Sequence, residues 1–310
     1  MRGIVLRSTA GFYRVRTDDG RVVECKMRGR LKKERARTDL AVIGDEVEID
    51  PQHAVIDAVM PRRTKFSRLH PTSRGTGREQ SWESGRTTED VLVANLDRVL
   101  CVFSASTPRM NPRLVDRFLV VAEHNDVEPW IVANKMDEPE AHDAPERFAM
   151  YERIGYRVLY TSAKTGLGID ALRSGIEGRI TALTGPSGVG KSSLLNAVQP
   201  GLALAVGELS ELLHKGKHTT RVAELHPVLG GGFVADTPGI RELASFAIPP
   251  RDLARCFPEL RGPMEQCGFS DCLHDHEPQC GVREAAQRGE IDPARYDSYL
   301  RQLHGEDARA

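Results

Sequence analysis

The run Gly185-Pro-Ser-Gly-Val-Gly-Lys-Ser192 constrains the fold of this chain more than any other feature. The pattern G-x-x-x-x-G-K-S requires a buried strand before it and a helix after it. Arg179-Ile-Thr-Ala-Leu-Thr184 is a short apolar, β-branched run of the kind that fills the middle of a sheet. Ser193-Leu-Leu-Asn-Ala-Val198 then reads as the helix. Glycines let the backbone curl until its N–H groups converge on an anion, and the helix N-terminus adds its positive end. Gly185, Pro186, Ser187, Gly188, Val189, Gly190 and Ser193 thus form a phosphate cradle. Lys191 would reach the β- and γ-phosphates, and the Ser192 hydroxyl would sit on Mg²⁺.

Four further segments fit around that loop. Asn134-Lys-Met-Asp137 follows the strand pattern Pro129-Trp-Ile-Val-Ala133, and Ser162-Ala163-Lys164 follows Tyr156-Arg-Val-Leu-Tyr160. Both lie just past strands, where open α/β sheets bind ligands. Asp137 can accept from guanine N1–H and from the exocyclic amine, donors that adenine lacks in that geometry. Asn134 can bond the base edge and neighbouring loops, the Lys135 stem can cover the ring, and a backbone N–H of the Ser162–Lys164 turn can donate to O6. Asp236-Thr-Pro-Gly239 follows Gly232-Phe-Val-Ala235, so Asp236 would hold Mg²⁺ through water and the Gly239 N–H would sense the γ-phosphate. In Gly216-Lys-His-Thr-Thr220, Thr219 or Thr220 is the remaining Mg²⁺ contact; spacing does not choose, and Thr220 is adopted. Ile240 occupies the place where many GTPases carry a water-positioning Gln. Slow intrinsic turnover is expected, with His218 the internal candidate to orient water. The guanine segments precede the phosphate loop, the reverse of the order in most P-loop GTPases.

The flanks carry their own signals. Residues 1–66 alternate short β-patterns with turn cues such as Thr17-Asp-Asp-Gly20. They form a small barrel or sandwich, and periodicity does not separate an OB fold from an SH3-like barrel. Phe12 and Tyr13 are candidates to stack on bases, with core packing of at least one the stronger expectation. Net charge is −1, but residues 1–90 hold 19 Lys/Arg against 14 Asp/Glu, and residues 91–310 hold 24 against 30. The excess peaks at Arg28, Arg30, Lys32, Lys33, Arg35 and Arg37, a run suited to neutralising nucleic-acid phosphates. Residues 67–89, rich in Arg, Gly, Ser and Thr, read as a flexible connector.

Three of the six cysteines cluster with histidine as Cys267-x4-Cys272-x-His274-x5-Cys280. Thiolates and imidazole at short spacing suit one tetrahedral, structural Zn²⁺ per chain, with His276 the rival ligand. The other three, Cys25, Cys101 and Cys256, read as plain buried thiols. No run approaches the ~18 apolar residues of a membrane helix, and Met1-Arg-Gly-Ile-Val-Leu-Arg7 reads as a strand rather than a signal peptide. Cytoplasm is the expected compartment.

The order NKMD, SAK, GPSGVGKSS, GKHTT, DTPG, together with Ala94-Asn95-Leu96-Asp97, resembles the circularly permuted RsgA (YjeQ/YloQ) family of ribosome small-subunit-dependent GTPases. The resemblance spans nearly the whole chain. Ile240 stands where the family is expected to have Phe, an apolar exchange. The resemblance implies a multi-domain protein. An OB-type β-barrel (1–66) and a connector (67–89) would precede a permuted α/β GTPase domain (90–246) and a mainly helical zinc-binding domain (247–310). It favours His274 over His276. It also implies a GTP hydrolase that binds the 30S subunit and 16S rRNA, assists late subunit maturation and works as a monomer away from membranes. The competing reading is a GTP-regulated RNA-binding module with a non-ribosomal partner.

Overall fold

The computed structural model describes residues 1–29, 31, 41–71, 87–202, 223–237, 240, 246 and 248–306, with side chains at 69–71 and 87–88 excepted. Strands β1 (Arg2–Thr9), β2 (Phe12–Thr17), β3 (Val22–Met27), β4 (Glu46–Asp50) and β5 (Val55–Val59) run in the order β1-β2-β3-β5-β4. Strand β4 pairs back onto β1, which closes the barrel, and β3–β5 is its parallel pair. This five-stranded closed Greek key is the OB-type barrel. Inward residues Val5, Tyr13, Val15, Cys25, Val47, Ile49 and Ile56 fill it. Strand neighbours face opposite sides, so Tyr13 is core while Phe12 is 42% exposed, with the Lys26 ammonium 4.8 Å from its ring centre. Strand β1 carries a bulge between Val5 and Arg7. Val5 therefore packs into the barrel, and Leu6 packs into the core of the next domain.

The segment expected as a connector begins and ends in strands. β6 (Lys65–Pro71) pairs antiparallel with β7 (Thr87–Ala94), and residues 72–86 between them lie outside the described residues. Buried Phe66 and Val93 anchor this ribbon in the central core. Alternating apolar residues at its ends outweigh the Arg/Gly/Ser composition of its middle.

The central sheet holds β8 (Arg98–Ser104), β9 (Glu128–Asn134), β10 (Arg157–Tyr160), β11 (Ile180–Thr184), β12 (Glu224–Pro227) and β13 (Phe233–Asp236) in the order β10-β9-β8-β11-β13-β12. All neighbours are parallel except the β12–β13 pair. Among the described residues, helices α1 (Pro112–His124), α2 (Ala144–Ile154), α3 (Ile169–Ile176) and α4 (Lys191–Val198) accompany the sheet. Strand β8 is buried along its whole length, as a central strand of a parallel sheet covered on both faces must be. Arg7 of β1 pairs with Glu224 of β12, so barrel and central domain share one continuous eleven-stranded sheet.

A buried joint reinforces that seam. Asn95, 2% exposed, accepts from the Arg63 N–H at 2.7 Å and donates to the Gly44 carbonyl at 2.9 Å. Asp97 accepts from the Ile180 N–H at 2.8 Å and from Arg63 at 2.7 Å. Asp45, fully buried, takes both prongs of the Arg62 guanidinium at 2.8 Å.

The C-terminal module is mainly helical: α5 (Pro250–Leu253), a short 3-10 turn (Ala254–Cys256), α6 (Pro258–Met264), α7 (Gly281–Gln287) and α8 (Pro293–Leu303). Its core of Leu253, Phe257, Leu260, Val282 and Tyr299 includes Val120 of α1, so the module is packed onto the central domain. Arg295 of α8 is fully buried between Asp116 of α1 at 2.6 Å and Glu259 of α6 at 2.6 Å, and its guanidinium stacks 4.6 Å over Phe257. Burial alone would lower this guanidinium; the Asp116 and Glu259 carboxylates outweigh it and hold Arg295 above its ordinary value. Among the described residues no helix is long and apolar enough to cross a membrane.

Candidate functional site

The strand order brings segments remote in sequence to one end of the sheet. Strands β9, β8, β11 and β13 lie side by side, and the loops after β9, β10, β11 and β13 all leave from their C-terminal ends. The loop after β11 folds as its glycines require. Gly185, Gly188 and Gly190 have φ of 141°, 78° and 93°. A Cβ on Gly185 would lie 2.1 Å from the Val102 carbonyl, and one on Gly190 would lie 2.4 Å from Asn134 Nδ2. Val189 is buried and pins the loop from beneath, while Ser192 and Ser193 are exposed at the start of α4. Lys191 Nζ donates to the carbonyls of Gly185 (2.7 Å) and Pro186 (2.6 Å) at the mouth of the loop.

Asn134 is the clasp of the site. It is 2% exposed, its Nδ2 donates to the Val189 carbonyl at 2.9 Å, and its Oδ1 accepts from Thr161 Oγ1 at 3.3 Å and the Ala163 N–H at 3.4 Å. One side chain thereby binds the loops after β9, β10 and β11 together. Lys135, at φ 70°, donates to the Thr107 carbonyl in the loop after β8. That loop is a wall the sequence did not announce. Its Pro108 ring also stands beside the phosphate loop, 3.8 Å from where a Gly188 Cβ would lie.

The Asp137 side chain is 14% exposed and accepts from Ser162 Oγ at 2.6 Å, with Lys164 Nζ at 3.7 Å. The Ser162 hydrogen bond, outweighing burial and joined by the Lys164 charge, holds Asp137 below the usual carboxylate range. It is therefore an ionised acceptor at neutral pH. Ser162 is fully buried and accepts in turn from the Thr165 N–H at 3.1 Å, which fixes its hydroxyl on Asp137.

Asp236 ends β13 beside the phosphate-loop strand. Just beyond it, Ile240 is 1% exposed in the central core; its N–H donates to Thr237 Oγ1 at 3.1 Å and its carbonyl accepts from Thr184 Oγ1 at 3.0 Å. An aliphatic side chain turned into the core positions no water. His218, Thr219, Thr220 and Gly239 lie outside the described residues, as do Arg30, Lys32, Lys33, Arg35 and Arg37. Arg28 is described, and pairs with Asp57 at 2.6 Å.

In the C-terminal module, ligand atoms of Cys267, Cys272, His274 and Cys280 all lie within 4.8 Å of one another. His274 is 2% exposed, and its Nδ1 faces Cys267 Sγ at 3.4 Å and Cys280 Sγ at 3.5 Å. His276 turns outward, 84% exposed, toward Asp275. The ligand loop is braced from behind. Tyr296 and Tyr299 of α8 donate to the carbonyls of His274 (2.7 Å) and Leu273 (2.5 Å). Glu277 gathers the N–H groups of Leu273, Asp275 and His276 at 2.8, 3.0 and 3.2 Å. Burial would raise the Glu277 carboxyl; the backbone donors outweigh it and bring it to about 2. Three thiols and an imidazole converging here, His274 and Cys280 buried and Cys267 and Cys272 half-buried, fit a tetrahedral thiophilic ion. Cys25, Cys101 and Cys256 are buried apart from the cluster, and burial pushes each thiol up.

Comparison with known proteins agrees with this architecture. Residues 2–55 match the RsgA N-terminal domain, and residues 76–246 match the RsgA GTPase family. The chain is 44% identical over 304 residues to a small ribosomal subunit biogenesis GTPase RsgA of Gemmatimonas aurantiaca, covering 96% of this chain and 95% of that one. The crystal structure of YjeQ from Thermotoga maritima superimposes with a TM-score of 0.76 at 34% identity, covering 100% of this chain and 99% of the other. YloQ, described as a circularly permuted GTPase, superimposes with a TM-score of 0.71 at 27% identity, covering 100% and 96%. With the guanine-side loops ahead of the phosphate loop, and a barrel and a Cys3His module on either flank, the chain belongs to the RsgA family of circularly permuted GTPases and hydrolyses GTP.

Proposed function

We propose that this GTPase binds the 30S ribosomal subunit, contacts 16S rRNA, assists late maturation of the subunit and leaves after hydrolysis. It works as a cytoplasmic monomer. The observation that carries the reading is near full-length similarity to a relative named for small-subunit biogenesis, on a chain whose nucleotide domain is continuous with an OB-type barrel. Such barrels are a common scaffold for oligonucleotides. Arg28 and the basic residues through Arg37 supply the phosphate contacts.

In this reading Gly185–Ser193 hold the triphosphate, and Asn134, Lys135, Asp137 and Ser162–Lys164 frame guanine. Ser192, Thr220, Asp236 and Gly239 meet Mg²⁺ and the γ-phosphate. Ser192, in the first turn of the helix after β11, and Asp236, the last residue of the adjacent β13, offer the oxygen ligands that Mg²⁺ prefers. Mg²⁺ held there would supply positive charge against the phosphates; Lys191 supplies a fixed cation, and His218 orients the attacking water, which Ile240 cannot do.

Phosphate release measured with 30S, 50S or no particles, across a salt series, tests this function. Wild type should be slow alone, strongly stimulated by 30S, and less stimulated as salt rises. His218→Ala should bind nucleotide normally and lose about 10²-fold of the stimulated rate. Equal stimulation by 50S would remove the small subunit as the specific partner. Stimulation by an unrelated RNA alone would favour a regulated RNA-binding module.

Asp137→Asn removes an ionised acceptor for two guanine donors. Charged hydrogen bonds contribute about 1.5–3 kcal/mol each, so GDP affinity should fall more than ~10-fold while xanthine nucleotides lose less. Unchanged GDP binding would overturn the base-reading role.

The Cys3His cluster is proposed to hold one structural Zn²⁺ through Cys267, Cys272, His274 Nδ1 and Cys280. Elemental analysis should find one zinc per chain, and markedly less in Cys272→Ser. His276→Ala should keep its zinc, and loss of metal there would reassign the ligand.

A further inference from the structure

We propose that Glu224 is a positioning residue through which the barrel and the γ-phosphate-sensing end of the sheet move together. Three residues on adjacent strands form one row. Arg7 of β1 is paired with Glu224 of β12, and Glu224 is paired with Asp236 of β13. The Glu224 carboxylate reaches back across the seam to Arg14 Nη1 at 3.1 Å and Arg7 Nη1 at 3.5 Å. It is 20% exposed, against 43% and 37% for the two arginines, so the anion is the sheltered member of the trio.

Elsewhere the seam is held by the buried joint of Gly44, Arg63 and Asn95. Arg7–Glu224 is the single paired position between β1 and β12 among the described residues. Alongside it lies a cavity of about 480 Å³ lined by Arg16, Thr17, Glu46, Met60 and Phe233. Beside that open space, Glu224 is the polar tie that links the Arg7–Arg14 edge of the barrel to β12. The far side of the tie is stiff: β12 pairs with β13 at every position from Glu224↔Asp236 to Pro227↔Phe233. A shift of that edge therefore displaces the backbone that carries Asp236, and a shift at Asp236 displaces that edge. By reciprocity, a ligand on either side changes the affinity of the other by the same factor.

The proposal rests on Asp236 being a Mg²⁺-side residue of the GTP site, so that assignment is checked separately. Asp236→Asn should weaken the Mg²⁺ dependence of GTP-analogue binding; if it does not, the assignment fails, whatever Glu224 does. The test of coupling is hydrogen exchange in residues 2–17 with GDP and with a non-hydrolysable GTP analogue. Wild type should show a nucleotide-dependent difference of at least about fivefold in the exchange of β1 amides, the low end of coupling between linked sites. Glu224→Gln should abolish the difference while GDP affinity stays unchanged. Arg14→Gln, which breaks the same contact at an exposed position on the barrel side, should also abolish it. A wild type without the difference, or variants that retain it, would overturn the proposal.

Discussion

Lys191→Ala should reduce GTP turnover by about 10²–10³-fold, the cost of removing one preorganised donor from a site where charge develops. The structure shows why no neighbour substitutes for it. Lys191 is the first residue of α4, and its ammonium already lies at the mouth of the loop, on the carbonyls of Gly185 and Pro186. The cradle itself is fixed by other means: the buried Val189, the positive-φ glycines and the Asn134 clasp. The loop should therefore keep its shape without the lysine, and the loss should be of charge rather than of fold. Single-turnover phosphate release, with nucleotide affinity and thermal unfolding measured alongside, separates the two. Turnover within tenfold of wild type would exclude Lys191 from the chemistry.

Arg295→Ala should destabilise the C-terminal module by about 3–5 kcal/mol, the usual cost of leaving buried carboxylates without their cation. Two acids lose their partner at once, Asp116 on α1 and Glu259 on α6, and Phe257 loses its stacked guanidinium. Tyr151 and Asp116 are also joined at 3.0 Å, so the damage reaches α2. Because α8 also carries Tyr296 and Tyr299, which brace the Leu273–His274 backbone, metal retention should fall with stability. Arg301→Ala on the same helix, whose Asp297 partner is solvent-facing, should change stability by less than about 0.5 kcal/mol. Equal unfolding curves for the two variants would show that the buried network does not hold the module in place.

The parts of this protein that were legible in its sequence are those whose chemistry fixes short-range spacing. A phosphate cradle needs particular backbone angles, and Gly185, Gly188 and Gly190 declare them. Four soft ligands within fourteen residues declare a metal cluster in the same way. What was not legible depends on long-range pairing. Arg295 reads as one more cation on an amphipathic helix until Asp116, 179 residues away, is placed against it. Asn95 and Asp97 count in the sequence only as part of the family resemblance, and their work as a joint needs Gly44, Arg63 and Ile180 in three dimensions. Asn134 was expected at the base edge and the neighbouring loops, and its hydrogen bonds in the structure go to the loops. The β6–β7 ribbon was missed because composition was averaged over residues 67–89, which blurred the apolar alternation at both ends. The parity of β2 could not say which of Phe12 and Tyr13 faced inward; only closure of the barrel decides that.

The position of β11 between β8 and β13 bears on how the chain is made. Synthesis delivers β8, β9 and β10 first, and the strand that must lie against β8 arrives about eighty residues later. At typical elongation rates that interval is on the order of ten seconds. For that time β8, buried along its whole length in the folded sheet, has one edge of backbone N–H and C=O groups without its final partner, the kind of edge that templates wrong pairings. A GTPase with the usual motif order makes its phosphate-loop strand at the outset and never faces this wait. Permutation thus moves the vulnerable moment of folding to the middle of translation, where a nascent-chain partner for β8 would have its largest effect on yield.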